Sequence, residues 1–268
     1  MQKDWAIKQA LSQLEDGFDV DEVINDIDCL ELPEEDKQKA LADFRTEISI
    51  LKSLRHPNIV LLLAYSTTKD LEVMISELMR CSLLDIFKAH IINGTKMKMK
   101  DKLAYAVQLA QGMHYLHTCK PVIIHRDLKP ANLLIDHSGV LKVADFGLSK
   151  IRPDPKKNEK DTFMMTGETG SYRFMAPEIY RHLSYNETVD VYSYGMILFY
   201  LLDGKPPWST LNGLVAARKA SYEGDRPTIP RSWDNRIQTL LQDCWDENPS
   251  ARPSFLRILQ ILRLHSRK

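Results

Sequence analysis

Apolar and polar residues recur with two different periods along this chain, and the change of period divides it. Asp4-Trp5-Ala6-Ile7-Lys8 reads as a short strand. An acidic stretch from about Glu15 to Asp36 has few aromatics and no clear period, and reads as an exposed insertion, partly helical. Pro33 followed by Glu34, Glu35 and Asp36 predicts a helix start, because proline suits the first helical position and acids face the positive dipole end. Phe44, Ile48, Leu51 and Leu54 mark one apolar face of that helix. Two apolar strands follow at about 59–65 and 71–76. Helical periods then dominate, at about 83–91, 101–118, 188–203, 211–222, 233–244 and 253–265. Between the second and third of these lies a hairpin of 133–135 and 140–144, turned by Asp136-His137-Ser138-Gly139. Strands early and helices late predict an α+β fold with two segregated lobes, a small β-rich one and a large helical one.

Composition narrows the class. The 268 residues are 44% hydrophobic, enough for one large domain or two lobes sharing a cleft. Lys+Arg and Asp+Glu balance at 36 each, so no overall field favours nucleic acid or an anionic membrane. No apolar run nears the roughly 20 residues needed to cross a bilayer, and nothing at the N-terminus resembles a signal peptide. Cys29, Cys81, Cys119 and Cys244 are far apart, with no CxxC pair and no zinc-type spacing. That pattern predicts reduced thiols, and the expected compartment is the cytoplasm.

The chemistry concentrates in Ile124-His125-Arg126-Asp127-Leu128-Lys129-Pro130-Ala131-Asn132, in Asp145-Phe146-Gly147 beyond the hairpin, and in Met175-Ala176-Pro177-Glu178 further on. Each alone is a weak signal, readable as a turn or a capping aspartate. Together and in this order they resemble the protein kinase family. The resemblance covers nearly the whole chain and implies transfer of the γ-phosphate of ATP, with Mg²⁺, to a protein hydroxyl. By that resemblance Asp127 takes the substrate proton and Lys129 offsets charge at the γ-phosphate. Asn132 and Asp145 are oxygen ligands of the kind Mg²⁺ prefers.

Upstream, Trp5-Ala6-Ile7-Lys8 resembles the family's V-A-I-K strand, with Lys8 on the α- and β-phosphates and Glu47 as its partner. Glu47 lies along the apolar stripe, where a carboxylate is costly without a cation. Ser76-Glu77-Leu78-Met79 resembles the connector that meets adenine, through the Glu77 carbonyl and the Met79 N–H, with Ala6 above the ring and Leu134 below. Leu51, Leu62, His125 and Phe146 resemble the apolar column joining the lobes. The implied division is a partial N-lobe at 1–79, with the insertion at about 9–32, and a C-lobe at 80–268.

Lys129-Pro130 and Gly170-Ser171-Tyr172-Arg173 resemble serine/threonine kinases, with Ser171 expected to bond Asp127 and Lys129. Asp190-Val191-Tyr192-Ser193-Tyr194-Gly195 and the stretch from Cys244 to Phe255 resemble tyrosine kinases. The mixture is similar to the tyrosine-kinase-like group, including Raf-like enzymes, and serine/threonine specificity is the reading taken. An unpaired Arg126 is expected to welcome a phosphate in the activation segment 145–178, with Thr162, Thr166 or Thr169 as acceptor for an upstream kinase. Glu178 and Arg252 resemble the family's buried structural pair, and Lys96–Lys100 reads as a solvated basic loop or a docking patch.

The resemblance lacks one part. Kinases begin with two strands joined by G-x-G-x-x-G over the phosphates, whereas only seven residues precede Lys8 and none is glycine. The expectation is a catalytic domain cut short at its N-terminus. The alternative is a pseudokinase or nucleotide-binding scaffold with little turnover.

Overall fold

The computed structural model describes residues 34–68, 71–151 and 171–265. The strand expected at 4–8, with Ala6 and Lys8, and the acidic insertion at 9–32 lie outside them. Helix α1, Glu34–Leu51, buries Ile48, Ile50 and Leu51, close to the stripe its period predicts. Strands β1, Leu62–Thr68, and β2, Leu71–Ser76, pair antiparallel from Leu62↔Ser76 to Thr68↔Leu71.

The first strand lies about three residues later than its hydrophobicity predicts. The Val60 N–H donates to the Val143 carbonyl at 3.0 Å, and the Val143 N–H donates to the Asn58 carbonyl at 2.9 Å. Residues 58–60 are thus paired with the hairpin, and the ladder to β2 begins only at Leu62. Apolarity reports burial and not which neighbour supplies the hydrogen bonds.

Two-residue β3, Cys81–Ser82, leads into α2, Leu83–Ile92, through a capping box in which Ser82 and Asp85 satisfy each other's backbone N–H groups. Helix α3 spans Met99–Thr118 and is followed by β4, Ile123–Ile124. The hairpin of β5, Leu133–Ile135, and β6, Leu141–Val143, joins β3 in a three-stranded antiparallel sheet, while β7, Lys150–Ile151, pairs with β4.

The remainder is helical: α4, Pro177–Tyr180; α5, Thr188–Asp203; α6, Gly213–Arg218; α7, Asn235–Cys244; and α8, Phe255–His265. Every α5 residue from Val189 to Leu201 is buried, as befits a helix apolar around most of its circumference. It is the pillar of the larger lobe. The Tyr194 hydroxyl donates to the Ala106 carbonyl on α3, and the Phe87 and Tyr200 rings stack at 3.8 Å. At Gly195 a Cβ would stand 2.8 Å from the Cys244 Cβ, so α5 and α7 meet where no side chain fits. The helix expected at 211–222 is shorter and changes form. Asn212 caps α6, and Lys219–Glu223 form a π turn closed by Gly224 at φ 67. The small antiparallel sheet region and the helical remainder constitute a two-lobed α+β fold.

Candidate active site

The site forms where the hairpin opens. Leu133 pairs with Val143, and the Ala144 N–H donates to the Asn132 carbonyl at 2.9 Å. Asn132 and Asp145, thirteen residues apart in the chain, are thereby brought to adjacent places at the mouth of one ladder. On the other side of Asn132, a 3₁₀ turn at Pro130–Asn132 returns the loop toward Asp127.

There the Asn132 amide donates to the Asp127 carbonyl at 2.9 Å and to its Oδ2 at 3.0 Å, and Lys129 Nζ stands 2.9 Å from the same Oδ2. The Asp127 side chain is 13% exposed and that of Lys129 12%, so their pairing is screened less than a surface ion pair.

The backbone carrying Asp127 is held from below. Arg126 and Asp145 both lie in the left-handed region, at φ 69 and φ 62, a conformation costing about 1–3 kcal/mol for residues with side chains. Asp190 on α5 offsets that cost at Arg126. Its carboxylate is wholly buried and accepts from the His125 N–H at 2.9 Å, the Arg126 N–H at 2.8 Å and His117 Nε2 at 2.8 Å. Burial pushes this carboxyl up, but the His117 hydrogen bond and the neighbouring imidazoles and amide outweigh it, holding it below the usual carboxylate range. His125 contacts the Ala144 carbonyl through Nε2 at 3.0 Å and lies 5.1 Å from the Phe146 ring.

From the smaller lobe, Glu47 Oε1 accepts the Phe146 N–H at 3.1 Å, which ties α1 to Asp145-Phe146-Gly147. Burial raises the Glu47 carboxyl above its ordinary value, with the Asp145 charge adding and the Phe146 amide opposing. Its expected partner Lys8 lies outside the described residues. Leu51, Leu62 and Phe146 share one buried core with His125 against them.

At the connector, the Glu77 side chain accepts the Leu61 N–H at 2.7 Å and meets Lys142 Nζ at 2.9 Å. Among the described residues, no protein hydrogen bond engages the Glu77 carbonyl or the Met79 N–H. Leu134 faces away from the buried Leu133 and Ile135, on the opposite side of β5.

Several expectations need amendment or lie elsewhere. Arg126 is not unpaired: its Nη1 donates to the Tyr185 hydroxyl at 2.7 Å and its Nε to the Leu148 carbonyl. A guanidinium next to a turned carbonyl and a phenol takes those acceptors in the absence of a stronger one. Thr162, Thr166 and Thr169 lie outside the described residues, and only the backbone of Ser171 is described, in the 3₁₀ turn Ser171–Phe174. Arg252 and Glu178 form a bidentate pair, with the two side chains 0% and 4% exposed. His117 belongs to none of the sequence motifs, and the side-chain contacts of Arg173 and Glu77 are not implied by theirs. The signal for His117 was a polar residue in register with the buried face of α3, at Leu109, Met113 and Leu116.

The donor set suits a hard cation. Asn132 commits its amide nitrogen to Asp127, which leaves its oxygen for a ligand, and the Asp145 carboxylate is exposed. One carboxylate and one amide oxygen match the sparse protein ligation of Mg²⁺, whose remaining positions go to phosphates and water.

Fold and loop together have the arrangement of a two-lobed protein kinase domain, with Asp127, Lys129 and Asn132 gathered on one loop and Asp145 beside it. A family model described as protein tyrosine and serine/threonine kinase matches residues 27–262, and the chain belongs to that family. It is 41% identical over 230 residues to serine/threonine-protein kinase VIK of Arabidopsis thaliana, covering 85% of this chain and 51% of that protein. Serine/threonine-protein kinase STY17 of the same plant is 38% identical over 231 residues, covering 86% and 38%. A probable serine/threonine-protein kinase of Dictyostelium discoideum is 40% identical over 234 residues, covering 87% and 24%. The chain spans about half or less of the length of these relatives.

Proposed function

We propose that this chain transfers the γ-phosphate of ATP to serine or threonine hydroxyls of proteins. The observation that carries the reading is the Asp127 carboxylate, held at 2.9 Å by Lys129 Nζ and at 3.0 Å by the Asn132 amide on a backbone fixed by buried Asp190. In this reading Asp127 orients the acceptor hydroxyl and takes its proton as that oxygen bonds the γ-phosphorus, while the bond from the γ-phosphorus to the β,γ-bridging oxygen breaks and ADP leaves. Lys129 neutralises charge between that carboxylate and the phosphoryl oxygens. Asn132 and Asp145 hold Mg²⁺, which when bound supplies charge neutralisation on the phosphates. The Glu77 carbonyl and Met79 N–H bind adenine between Ala6 and Leu134, and Glu47 pairs with Lys8, which holds the α- and β-phosphates. The division into an N-lobe ending at Met79 and a C-lobe from Arg80 belongs to the same proposal.

Serine/threonine choice is supported by Lys129-Pro130 and by the relatives, which are serine/threonine-protein kinases by name. The free thiols of Cys81, Cys119 and Cys244 are in keeping with a reducing compartment such as the cytoplasm. No helix among the described residues is long and apolar enough to cross a membrane. Ser171 bonding Asp127 and Lys129 is part of the reading, as is control by an upstream kinase acting on Thr162, Thr166 or Thr169. There a phosphate displaces the weaker Tyr185 contact from Arg126.

The test is incubation with labelled Mg-ATP and a degenerate library of serine, threonine and tyrosine peptides, followed by phosphoamino-acid analysis. Label on serine and threonine is expected. Label confined to tyrosine would overturn the specificity, and no label on any peptide or on the chain itself would overturn the activity.

A further inference from the structure

The corner between helices α2 and α3 carries apolar side chains and positive charge that the candidate active site does not use. Helix α2 buries Leu83 and Phe87, the latter stacked on Tyr200 of α5, and then runs out into solvent. Ile91 and Ile92 in its last turn are 63% and 82% exposed, and Met99 at the start of α3 is 54% exposed. Among the described residues, no other large apolar side chain is as exposed as Ile92. Single exposed apolar residues are ordinary, but two adjacent ones at a helix end and a third across a short loop are not.

The loop between them is ordered by its own hydrogen bonds. The Thr95 N–H donates to the His90 carbonyl at 2.9 Å, His90 Nδ1 and the Thr95 hydroxyl lie 2.7 Å apart, and Gly94 takes the left-handed turn at φ 61. Met97 packs against the core, while Lys96 and Lys98 on either side of it are exposed. From Asp85 to Asp101 the intervening chain has Lys88, Lys96, Lys98 and Lys100 and no acidic residue. Among the described residues no salt bridge engages Lys96, Lys98 or Lys100. The whole chain has no net charge, so this excess belongs to one corner and not to the molecule.

Two properties select the partner. The cluster protrudes: residues 91–96 are all exposed, which suits entry into a yielding surface rather than reception of a partner's side chain. Its cations are all lysines. Guanidinium forks would match the carboxylates of an acidic peptide in pairs, whereas hydrated ammoniums on flexible stems suit the diffuse charge of lipid headgroups. We infer that this corner docks on an anionic bilayer surface. Ile91, Ile92 and Met99 enter the boundary between headgroups and acyl chains, and Lys96, Lys98 and Lys100 lie among the headgroup anions. The contact holds the chain on the membrane without spanning it and is weakened by salt. None of these residues belongs to the candidate active site, so the inference stands apart from the phosphotransfer reading.

The test is sedimentation of the full chain with vesicles of phosphatidylcholine alone and of phosphatidylcholine mixed with phosphatidylserine, at low and raised salt. Binding to the mixed vesicles only, lost on adding salt, is expected. The combined variant Lys96→Gln, Lys98→Gln and Lys100→Gln should lower the partition coefficient about a hundredfold, at about fivefold per charge. Ile92→Ser alone should lower it about tenfold. Melting temperature and the rate on a soluble peptide should stay at parent values in both, since the positions are exposed. No sedimentation with mixed vesicles overturns the inference, as does equal sedimentation with phosphatidylcholine alone or binding that neither variant weakens. Polyglutamate that binds the parent but not the lysine variant, with no vesicle binding by either, assigns the corner to an acidic protein and also overturns it. If the lysine variant fails to fold, Ile92→Ser decides alone: weakened binding supports the docking, and parent-like binding overturns it. A parent that binds mixed vesicles but phosphorylates no peptide removes the proposed function and supports the docking.

Discussion

Asp127 and Asp190 are both carboxylates within the same loop's reach, yet their surroundings give them opposite duties. Asp127 retains access to solvent and is paired with Lys129, which suits a group that must meet a substrate hydroxyl. Asp127→Asn keeps the size but removes the proton acceptor, and should lower kcat by about 10²–10⁴ with little change in melting temperature. Steady-state ADP release checks this, and an unchanged rate would mean the base is elsewhere. Asp190 is sealed and serves the backbone. Its folded value is depressed below the ordinary one, so its contribution to stability is present above about pH 4 and lost as pH falls through the folded value. Asp190→Asn presents an N–H₂ toward amides that need acceptors, and should cost about 3–5 kcal/mol at neutral pH. Urea titrations at several pH values should also show a flatter acid limb for the variant. An acid limb identical to the parent's would refute the linkage. Both aspartates were legible as motif members; only burial separates the proposed base from the brace.

At the scale of elements, helical periods located most of the larger lobe, and α5 was recognisable because nearly every position is apolar. The two-residue strands β3, β4 and β7 were not, because so short a run carries no period and exists only through its partner. The Glu178–Arg252 pair shows the same dependence: residues 74 apart in the chain tie α4 to the segment before α8. Arg252 also lies 5.2 Å from the Tyr192 ring and donates to the Asp246 and Thr188 carbonyls. Arg252→Met should destabilise by about 3–5 kcal/mol, since it leaves the buried Glu178 charge without a counter-ion. Arg252→Lys should recover only part, because a single ammonium cannot make the bidentate contact. Denaturant midpoints decide this, and a parent-like Arg252→Met would show the pair to be dispensable.

For the molecule as a whole, Glu77–Lys142 and the Asn58 and Val60 bonds to the hairpin are among the polar points at which the two lobes meet, and so is the Glu47 contact to the Phe146 amide. Asp145 stands next to that contact, so nucleotide and cation binding should be felt by both lobes. Removing Mg²⁺ with EDTA should abolish phosphotransfer, and Asp145→Asn should remove most of the thermal stabilisation given by Mg-ATP while sparing the apo melting temperature. A parent-sized shift with Asp145→Asn would place the cation on other ligands. The sequence by itself determined the inventory: which carboxylates, amide and lysine are present, in what order, and which segments have the period of a helix. That is local information, carried by neighbours in the chain. Only the tertiary structure decided which groups meet. It gave Asp190 the amides of His125 and Arg126, 65 and 64 residues away, and gave Asn58 and Val60 to the hairpin before β1 could begin. It turned the Arg126 guanidinium to Tyr185 and the Arg173 fork onto three carbonyls. Periodicity reports that a face is buried, whereas a hydrogen-bond partner is chosen by the packing of whole elements, which no single stretch of chain encodes.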